Sequence, residues 1–191
     1  MGTRERILDS AAEILRTRGV VHATTKQIAK ASGLSEAALY KYFSDKEELL
    51  LHVLRERVPG MSQLHIRPGE AEVEANLTAM ARAALDFYQR SLPMMGSLMS
   101  DPQRMAAHRQ SMSRHGGGPD KAVSWFAGYL RAEQDLGRVS ADADPDAAAS
   151  LLLGACFQQA FLRYYAEGPD ATPAPEETAR ALARMVSRAL S

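Results

Sequence analysis

Apolar residues recur every three or four positions along most of the chain, which is the spacing of one face of an α-helix. The first such run carries Ile7, Ala11, Ile14 and Leu15, and its pattern stops near Gly19. Segments in which β-branched and polar residues alternate, as in a half-buried strand, are almost absent, and there is no Asn-Gly or Asp-Gly turn. The pattern therefore predicts an all-α protein.

Two short helices are predicted after the first one. Thr24 and Gln27 form a capping-box pattern at the start of the second helix. Gly33 is suited to end that helix, because glycine adopts the left-handed backbone conformation without a steric cost. Ser35 is then expected to cap a third helix, which runs through Phe43.

Longer helices are predicted in the rest of the chain. Ser44 and Glu47 form another capping-box pattern, which opens a fourth helix. Residues 58–69 contain two prolines and two glycines and are expected to form a linker. Pro93 and Pro102 are expected to bracket a short methionine-rich piece. The long helices are predicted at about 71–91, 120–134, 145–166 and 175–190.

The segment 24–43, TTKQIAKASGLSEAALYKYF, has the length and order of a helix-turn-helix. In that motif the second helix enters the DNA major groove and the first crosses the backbone. A nine-residue helix spans roughly 13 Å, enough to cross a groove ~12 Å wide. The apolar residues expected to hold the motif against the first helix are Ile28, Ala29, Leu34, Leu39 and Phe43.

The first part of the chain, to about residue 55, resembles the N-terminal domain of the TetR family of repressors. The resemblance implies a three-helix helix-turn-helix domain at residues 1–57 and a larger helical effector-binding and dimerisation domain at 58–191. It also implies a homodimer that a small molecule releases from DNA. The residues in register are Ile28-Ala29, Gly33, Leu34-Ser35, Leu39-Tyr40, Phe43 and Lys46-Glu47.

DNA contacts are expected at both ends of the motif. By resemblance, Thr25 and Lys26 match contacts at the start of the motif's first helix, and Tyr40 and Tyr42 match contacts of the recognition helix. Lys46 matches a phosphate-binding lysine at a helix N-terminus, where backbone amides also favour phosphate. The full predicted set is Thr24, Thr25, Lys26, Ser35, Glu36, Ala37, Ala38, Tyr40, Lys41, Tyr42 and Lys46.

Three positions depart from the family pattern. Ala37 stands where glycine is frequent, Ala38 where threonine is frequent, and Glu36 where a basic or polar residue is common. The Ala38 methyl can contact thymine, whereas the Glu36 carboxylate can accept a hydrogen bond from cytosine N4 but repels phosphate. DNA binding is still expected, although the operator sequence cannot be inferred from these residues.

Methionine and aromatic residues are frequent after residue 80. Methionine adapts to irregular cavities, and a pocket lined by such side chains would suit an apolar or aromatic effector. Core packing is the alternative for each single residue. The predicted pocket residues are Met80, Phe87, Met94, Met99, Trp125, Phe126, Tyr129, Phe157 and Phe161.

Composition bears on several other classes of protein. Lys plus Arg and Asp plus Glu are 23 each, so a DNA-binding surface must come from the local placement of charge. The single cysteine, Cys156, excludes an intramolecular disulfide and is expected to be an inert buried thiol. No metal-ligand spacing, serine-nucleophile elbow, Walker loop or Rossmann glycine pattern occurs, so we expect no metal, no cofactor and no enzyme. A charged N-terminus and short apolar runs favour a cytoplasmic protein.

Two hypotheses of different classes follow. The first is a ligand-responsive repressor that binds a palindromic double-stranded DNA operator as a homodimer, pairing through the helices at 120–134 and 145–166. The second is a helical small-molecule carrier or sensor whose N-terminal domain does not bind DNA. The first is favoured by the basic and phenolic side chains of the motif, which are Lys26, Tyr40, Lys41, Tyr42 and Lys46.

Overall fold

The computed structural model describes residues 2–57, 64–114, 118–168 and 171–191, and within these ranges it contains helices and no strands. This confirms the predicted all-α fold. None of the described helices has the length and apolarity that crossing a membrane requires. The helices are α1 (Thr3–His22), α2 (Thr25–Ala31), α3 (Glu36–Leu39), α4 (Lys46–Glu56), α5 (Val73–Met99), α6 (Pro102–Arg114), α7 (Pro119–Asp135), α8 (Pro145–Glu167) and α9 (Glu176–Ala189).

The chain forms two compact units, and the first combines two stretches of sequence, Met1–Pro59 and Arg90–Gly117. Its smaller apolar cluster joins Leu50 of α4 to Met94 and Leu98 of α5. The last part of α5 and the whole of α6 group with the N-terminal helices. The two compact units therefore differ from the predicted domains, and the boundary at residue 57 stays a prediction. The larger cluster of this unit comprises Ile7, Leu8, Ala11, Ile28, Ala29, Leu39, Phe43, Leu49 and Val53.

The second unit comprises Gly60–Gln89 and Gly118–Ser191, and its core is formed by the first part of α5 together with α7, α8 and α9. Cys156 of α8 is fully buried in it, and its thiol donates to the Ala81 carbonyl over 3.6 Å. Burial raises the pKa of this thiol to about 12, because the thiolate would lose its hydration. The thiol therefore stays protonated near neutral pH, which favours the expected inert role.

A buried carboxylate, Glu133 of α7, anchors the chain that leads into α5. Its Oε1 accepts from the Gly69 amide over 3.2 Å, and its Oε2 lies 3.4 Å from Nε of Arg138. Gly69 has a φ of 82°, and a Cβ there would lie 3.2 Å from Leu136, so glycine suits this position. Tyr129 is tied to the same region, because its hydroxyl accepts from the side-chain amide Nδ2 of Asn76 over 2.9 Å. The buried charge is thus paired, as its position requires.

The start of α4 differs from the predicted capping box by one residue. The cap is Asp45, whose carboxylate accepts from the Glu48 amide over 2.7 Å. Glu48 in turn accepts from the Ser44 amide over 2.5 Å. The assignment of the cap to Ser44 with Glu47 was therefore wrong. The reason is that Asp45 and Glu48 satisfy the same spacing one position later.

Pro93 does not end a helix, contrary to the prediction, since α5 continues through it to Met99. Proline removes one backbone hydrogen bond from a helix interior and crowds the preceding turn. Apolar contacts on both sides of the proline oppose this cost, because Leu92, Met94 and Leu98 are all buried. Tertiary packing here overrides the local signal.

Candidate nucleic-acid interface

Local signals in the sequence build the α2–turn–α3 segment. The Thr24 hydroxyl accepts from the Gln27 amide over 3.2 Å, and the Gln27 side chain accepts from the Thr24 amide over 3.3 Å, which confirms the predicted capping box. Gly33 follows α2 with a φ of 70°, the left-handed conformation that glycine permits. The Ser35 hydroxyl caps α3 by accepting from the Ala38 amide over 3.2 Å.

The recognition segment is a shorter helix than predicted. α3 ends at Leu39, and the amides of Tyr42 and Phe43 both donate to the Leu39 carbonyl, over 2.9 and 3.2 Å. Residues 40–42 thus form a turn that continues the course of α3. The predicted end of the helix at Phe43 was wrong, because the amides of Lys41 and Tyr42 donate to carbonyls three residues back, in a turn, rather than four residues back as in an α-helix.

One side of this segment is fixed by burial. Ile28, Leu39 and Phe43 are almost completely inaccessible to solvent. The Arg4 guanidinium lies 5.5 Å from the centroid of the Phe43 ring, within the range of a cation–π contact. The His52 ring lies 5.6 Å from the same centroid. These contacts leave the opposite side of α2 and α3 to solvent.

The opposite side presents cations and phenols. Lys26 and Lys41 are exposed, and the Tyr40 and Tyr42 side chains are each 45% exposed. Lys30 is also exposed, four residues after Lys26 on the same face of α2. Lys30 was not among the predicted contacts, although its four-residue spacing from Lys26 could have indicated it. Among the other predicted contacts, Thr24, Ser35 and Ala37 are exposed, and Glu36, Ala38 and Lys46 are partly buried.

Thr25 has a different environment from the other predicted contacts, since it is only 9% exposed. Its hydroxyl donates to Oε1 of Glu36, and the Tyr40 hydroxyl donates to Thr25 over 3.5 Å. A threonine hydroxyl carries one proton, so the bond to Glu36 uses the only one that Thr25 can donate. We call this arrangement the Thr25–Glu36–Tyr40 triad.

Ion pairs fasten α4 to the start of α1. Arg4 makes two hydrogen bonds to the Glu56 carboxylate, over 2.8 and 2.6 Å, and His52 Nδ1 lies 2.7 Å from the same group. The bidentate bond from Arg4 holds the pKa of Glu56 at about 2, because it stabilises the charged carboxylate. Arg57 pairs with Asp9 over 2.6 Å and with Glu5. These pairs fix the orientation of α4, whose first residue is Lys46.

The Glu56 pair predicts a dependence of stability on acid. A carboxyl whose pKa is lowered by folding stabilises the folded state above its unfolded pKa, and that contribution disappears as the pH falls through the folded pKa. For Glu56 the window runs from pH 4.5 down to about 2. We expect about 1.5–3 kcal/mol of unfolding free energy to be lost across it, as for hydrogen bonds to charged groups. The measurement is urea unfolding at several pH values.

Two variants separate this contribution from other acid effects. Glu56→Gln should be less stable than the wild type at neutral pH and lose less stability between pH 4.5 and about 2. Glu74→Gln removes an exposed carboxylate of α5 and should follow the wild-type curve. Parallel curves for the wild type and Glu56→Gln would contradict the prediction.

The structure divides the predicted effector-pocket residues between the two units. Met94 lies in the smaller apolar cluster of the first unit, and Met99, also in that unit, is largely exposed. In the second unit, Met80, Phe126 and Tyr129 are buried core residues. Those left with partial exposure in the second unit are Phe87, Trp125, Phe157 and Phe161.

Comparison with known proteins shows which family the two parts of the chain resemble. Residues 7–53 match the tetR family of bacterial regulatory proteins, and residues 57–190 match the C-terminal domain of AefR-like transcriptional repressors. The HTH-type transcriptional regulator TtgW of Pseudomonas putida is 37% identical over 84 residues, which cover 44% of this chain and 61% of TtgW. The match therefore spans less than two thirds of that relative.

Two further proteins extend the comparison over more of the chain. The HTH-type transcriptional repressor AcnR of Corynebacterium efficiens is 27% identical over 142 residues, which cover 74% of this chain and 71% of AcnR. The structure of Salmonella enterica GusR superimposes with a TM-score of 0.70 at 22% identity, covering 98% of this chain and 95% of GusR. The structural likeness extends the fold over nearly the whole chain.

The helical fold and the α2–turn–α3 segment are those of bacterial helix-turn-helix regulatory proteins. Since the AefR-like C-terminal domain alone matches more than half of the sequence, the chain belongs to the TetR family. The family relationship that the N-terminal residues suggested is thereby confirmed.

Proposed function

We propose that the protein is a cytoplasmic transcriptional repressor that binds a palindromic DNA operator through residues 24–43. The observation that supports this most directly is the sidedness of the α2–turn–α3 segment. Its buried side is held by apolar contacts, while Lys26, Lys30 and Lys41 stand on the surface with two half-exposed tyrosines. Such side chains position a protein on DNA by contacting phosphates. They supply the local positive charge that the neutral chain lacks overall.

Replacing Lys46 by alanine should weaken DNA binding and lower its dependence on salt. Each cation that neutralises a phosphate releases about one counterion, so the slope of log affinity against log salt should fall by about one unit. Fluorescence anisotropy at several salt concentrations, with the promoter DNA that flanks the gene, measures this slope. Lys121→Ala, which removes a lysine of α7 in the second unit, is the matched control and should keep the wild-type slope.

The contradicting results for this prediction are specific. If Lys46→Ala and the wild type show the same salt slope, Lys46 is not a phosphate contact. If the wild type binds promoter DNA no more tightly than random DNA, the repressor function itself is wrong.

We propose that α8 and α9 form the homodimer contact. Leu151 of α8 is 68% exposed and Met185 of α9 is 66% exposed, and exposed apolar side chains that share one surface patch mark an interaction site. Both line a groove of about 450 Å³ between these helices. A Cβ added at Gly154 would meet no atom within 4 Å, so a partner helix has room to approach. The pairing first expected used α7 and α8. We now propose α9 in place of α7, because Phe126 and Leu130 of α7 are buried in the core of the subunit.

We propose that an apolar or aromatic effector binds in the second unit beside Tyr88. The Tyr88 ring lies 5.6 Å from that of Phe87 and 5.4 Å from that of Phe157, and all three side chains retain some exposure. Burial, with a smaller effect of the nearby Cys156, raises the pKa of Tyr88, so its hydroxyl stays neutral. An apolar surface with one hydroxyl suits a ligand of that class.

A ligand at this site acts as an inducer only if it binds the free and DNA-bound conformations with different affinity. A panel of apolar and aromatic compounds, screened by thermal shift and then by release of promoter DNA, tests the proposal. Phe157→Ala should weaken binding of any hit about tenfold or more. Phe161→Ala, one helical turn further along α8, is the comparison variant and should weaken it less. A hit that binds equally well to Phe157→Ala, or that leaves DNA affinity unchanged, would overturn it.

A further inference from the structure

The DNA-facing segment contains one acidic residue whose presence calls for an explanation. Glu36 is the first residue of α3 and is partly exposed. A carboxylate near DNA phosphates lowers affinity for every duplex, whatever its sequence. Such a side chain can still raise specificity if it improves binding to one DNA sequence only, since specificity is the difference between the affinities for two sequences.

The Thr25–Glu36–Tyr40 triad holds this carboxylate in place. Oε1 of Glu36 accepts from the Thr25 hydroxyl, and the Tyr40 hydroxyl donates to the oxygen of Thr25 over 3.5 Å. Thr25 belongs to the first turn of α2 and is nearly buried, so its hydroxyl is a fixed point for Glu36. Among the described residues, the hydrogen bond to the Glu36 carboxylate involves Oε1, and Oε2 is left without a partner. One oxygen is thus used for orientation and the other is left to accept.

We propose that Glu36 is a specificity-determining residue that accepts a hydrogen bond from a cytosine amino group in the major groove, with Thr25 as its positioning residue. The inference rests on the proposed DNA binding through residues 24–43. A carboxylate can accept from cytosine N4, whereas thymine and guanine present only acceptors in the major groove, and the amino group of adenine lies beside the acceptor N7, which repels a carboxylate. At a matched cytosine the new hydrogen bond offsets the repulsion from phosphates, and elsewhere only the repulsion remains.

The experiment uses duplexes enriched from a randomised pool by the wild-type protein. Affinities are measured for the best duplex, for versions in which each C·G pair is changed to T·A, and for random duplex. Glu36→Ala should bind random duplex more tightly than the wild type does, because a negative charge is gone. It should also lose about tenfold of discrimination at one cytosine position, the size expected for one base contact.

Variants of Thr25 test its positioning role. Thr25→Val has the same shape without the hydroxyl, and should lose discrimination at that same cytosine, whereas Thr25→Ser should retain it. The double variant Thr25→Val with Glu36→Ala should be no worse than Glu36→Ala alone, since coupled residues are not additive. Glu13→Gln removes an exposed carboxylate of α1 and should leave base preference unchanged. Circular dichroism melting confirms that each variant is folded.

Three results would overturn the inference or its basis. Glu36→Ala changing the affinity of every duplex by one common factor would mean that its charge acts without base recognition. Thr25→Val retaining the cytosine preference would remove the positioning role. Enrichment of no preferred sequence by the wild type would refute the proposed function, whereas a preferred sequence that Glu36→Ala recognises unchanged refutes only this inference.

Discussion

Replacing Leu151 by arginine is expected to convert the protein into a monomer that no longer holds its operator. The side chain is 68% exposed on α8, so the substitution leaves the fold of the subunit intact. In the proposed dimer it would bury an unpaired charge, which costs several kcal/mol and weakens dimerisation by more than a hundredfold. Binding both half-sites of a palindromic operator requires two recognition segments about one turn of the DNA helix apart, ~34 Å.

Loss of the dimer should lower operator affinity about a hundredfold or more, because the second half-site no longer binds as an intramolecular event. Analytical ultracentrifugation at micromolar protein and anisotropy titration of the promoter duplex measure the two effects. Leu136→Arg is the matched control, since Leu136 follows α7 and is 56% exposed in the same unit. A Leu151→Arg protein that sediments as the wild type does would place the dimer contact elsewhere.

Phe43→Ala is expected to destabilise the protein by about 3–5 kcal/mol, the usual cost of truncating a buried phenylalanine. The ring is 1% exposed, lies among residues of α1, α2, α3 and α4, and has Arg4 and His52 against it. That loss is a large part of the stability of a typical domain, about 5–15 kcal/mol. The fall is measured as a change in the free energy of unfolding by urea.

Tyr42, next to Phe43 in the sequence, provides a control with a small expected effect on stability and a large one on DNA binding. Tyr42 is 45% exposed on the side proposed to face DNA, so Tyr42→Ala should change unfolding free energy by less than about 1 kcal/mol while weakening DNA binding. If both variants unfold at the wild-type urea concentration, Phe43 does not hold the segment as the structure indicates. If Tyr42→Ala binds DNA normally, the phenol is not a contact.

The parts of the interface that the sequence predicts well depend on neighbours within a few residues. The Thr24–Gln27 capping box, the left-handed Gly33 and the Ser35 cap are all set by local hydrogen bonding and backbone sterics. The cap of α4 was missed by one position because Ser44 and Asp45 both fit the local rule.

Features that depend on distant parts of the chain were not predictable in this way. The bond between Thr25 and Glu36 joins residues eleven positions apart, across a turn whose exact geometry determines whether they meet. Met94 belongs to the first unit because it packs with Leu50, a contact that no periodicity signals. The same contact explains why Pro93 is tolerated inside α5, since burial outweighs a lost hydrogen bond.

The discontinuous first unit has a consequence for how the protein folds during synthesis. Residues 60–89, which separate the two stretches of this unit, belong to the other unit. When α4 leaves the ribosome, Met94 and Leu98, the other buried members of the Leu50 cluster, have not yet been made, and of the residues packed against it only Leu15 of α1 is present. Contacts between residues far apart in sequence form late, because the intervening loop must close first. The helix-turn-helix core can therefore form early around Phe43, while its side at Leu50 stays partly open to water until α5 is complete.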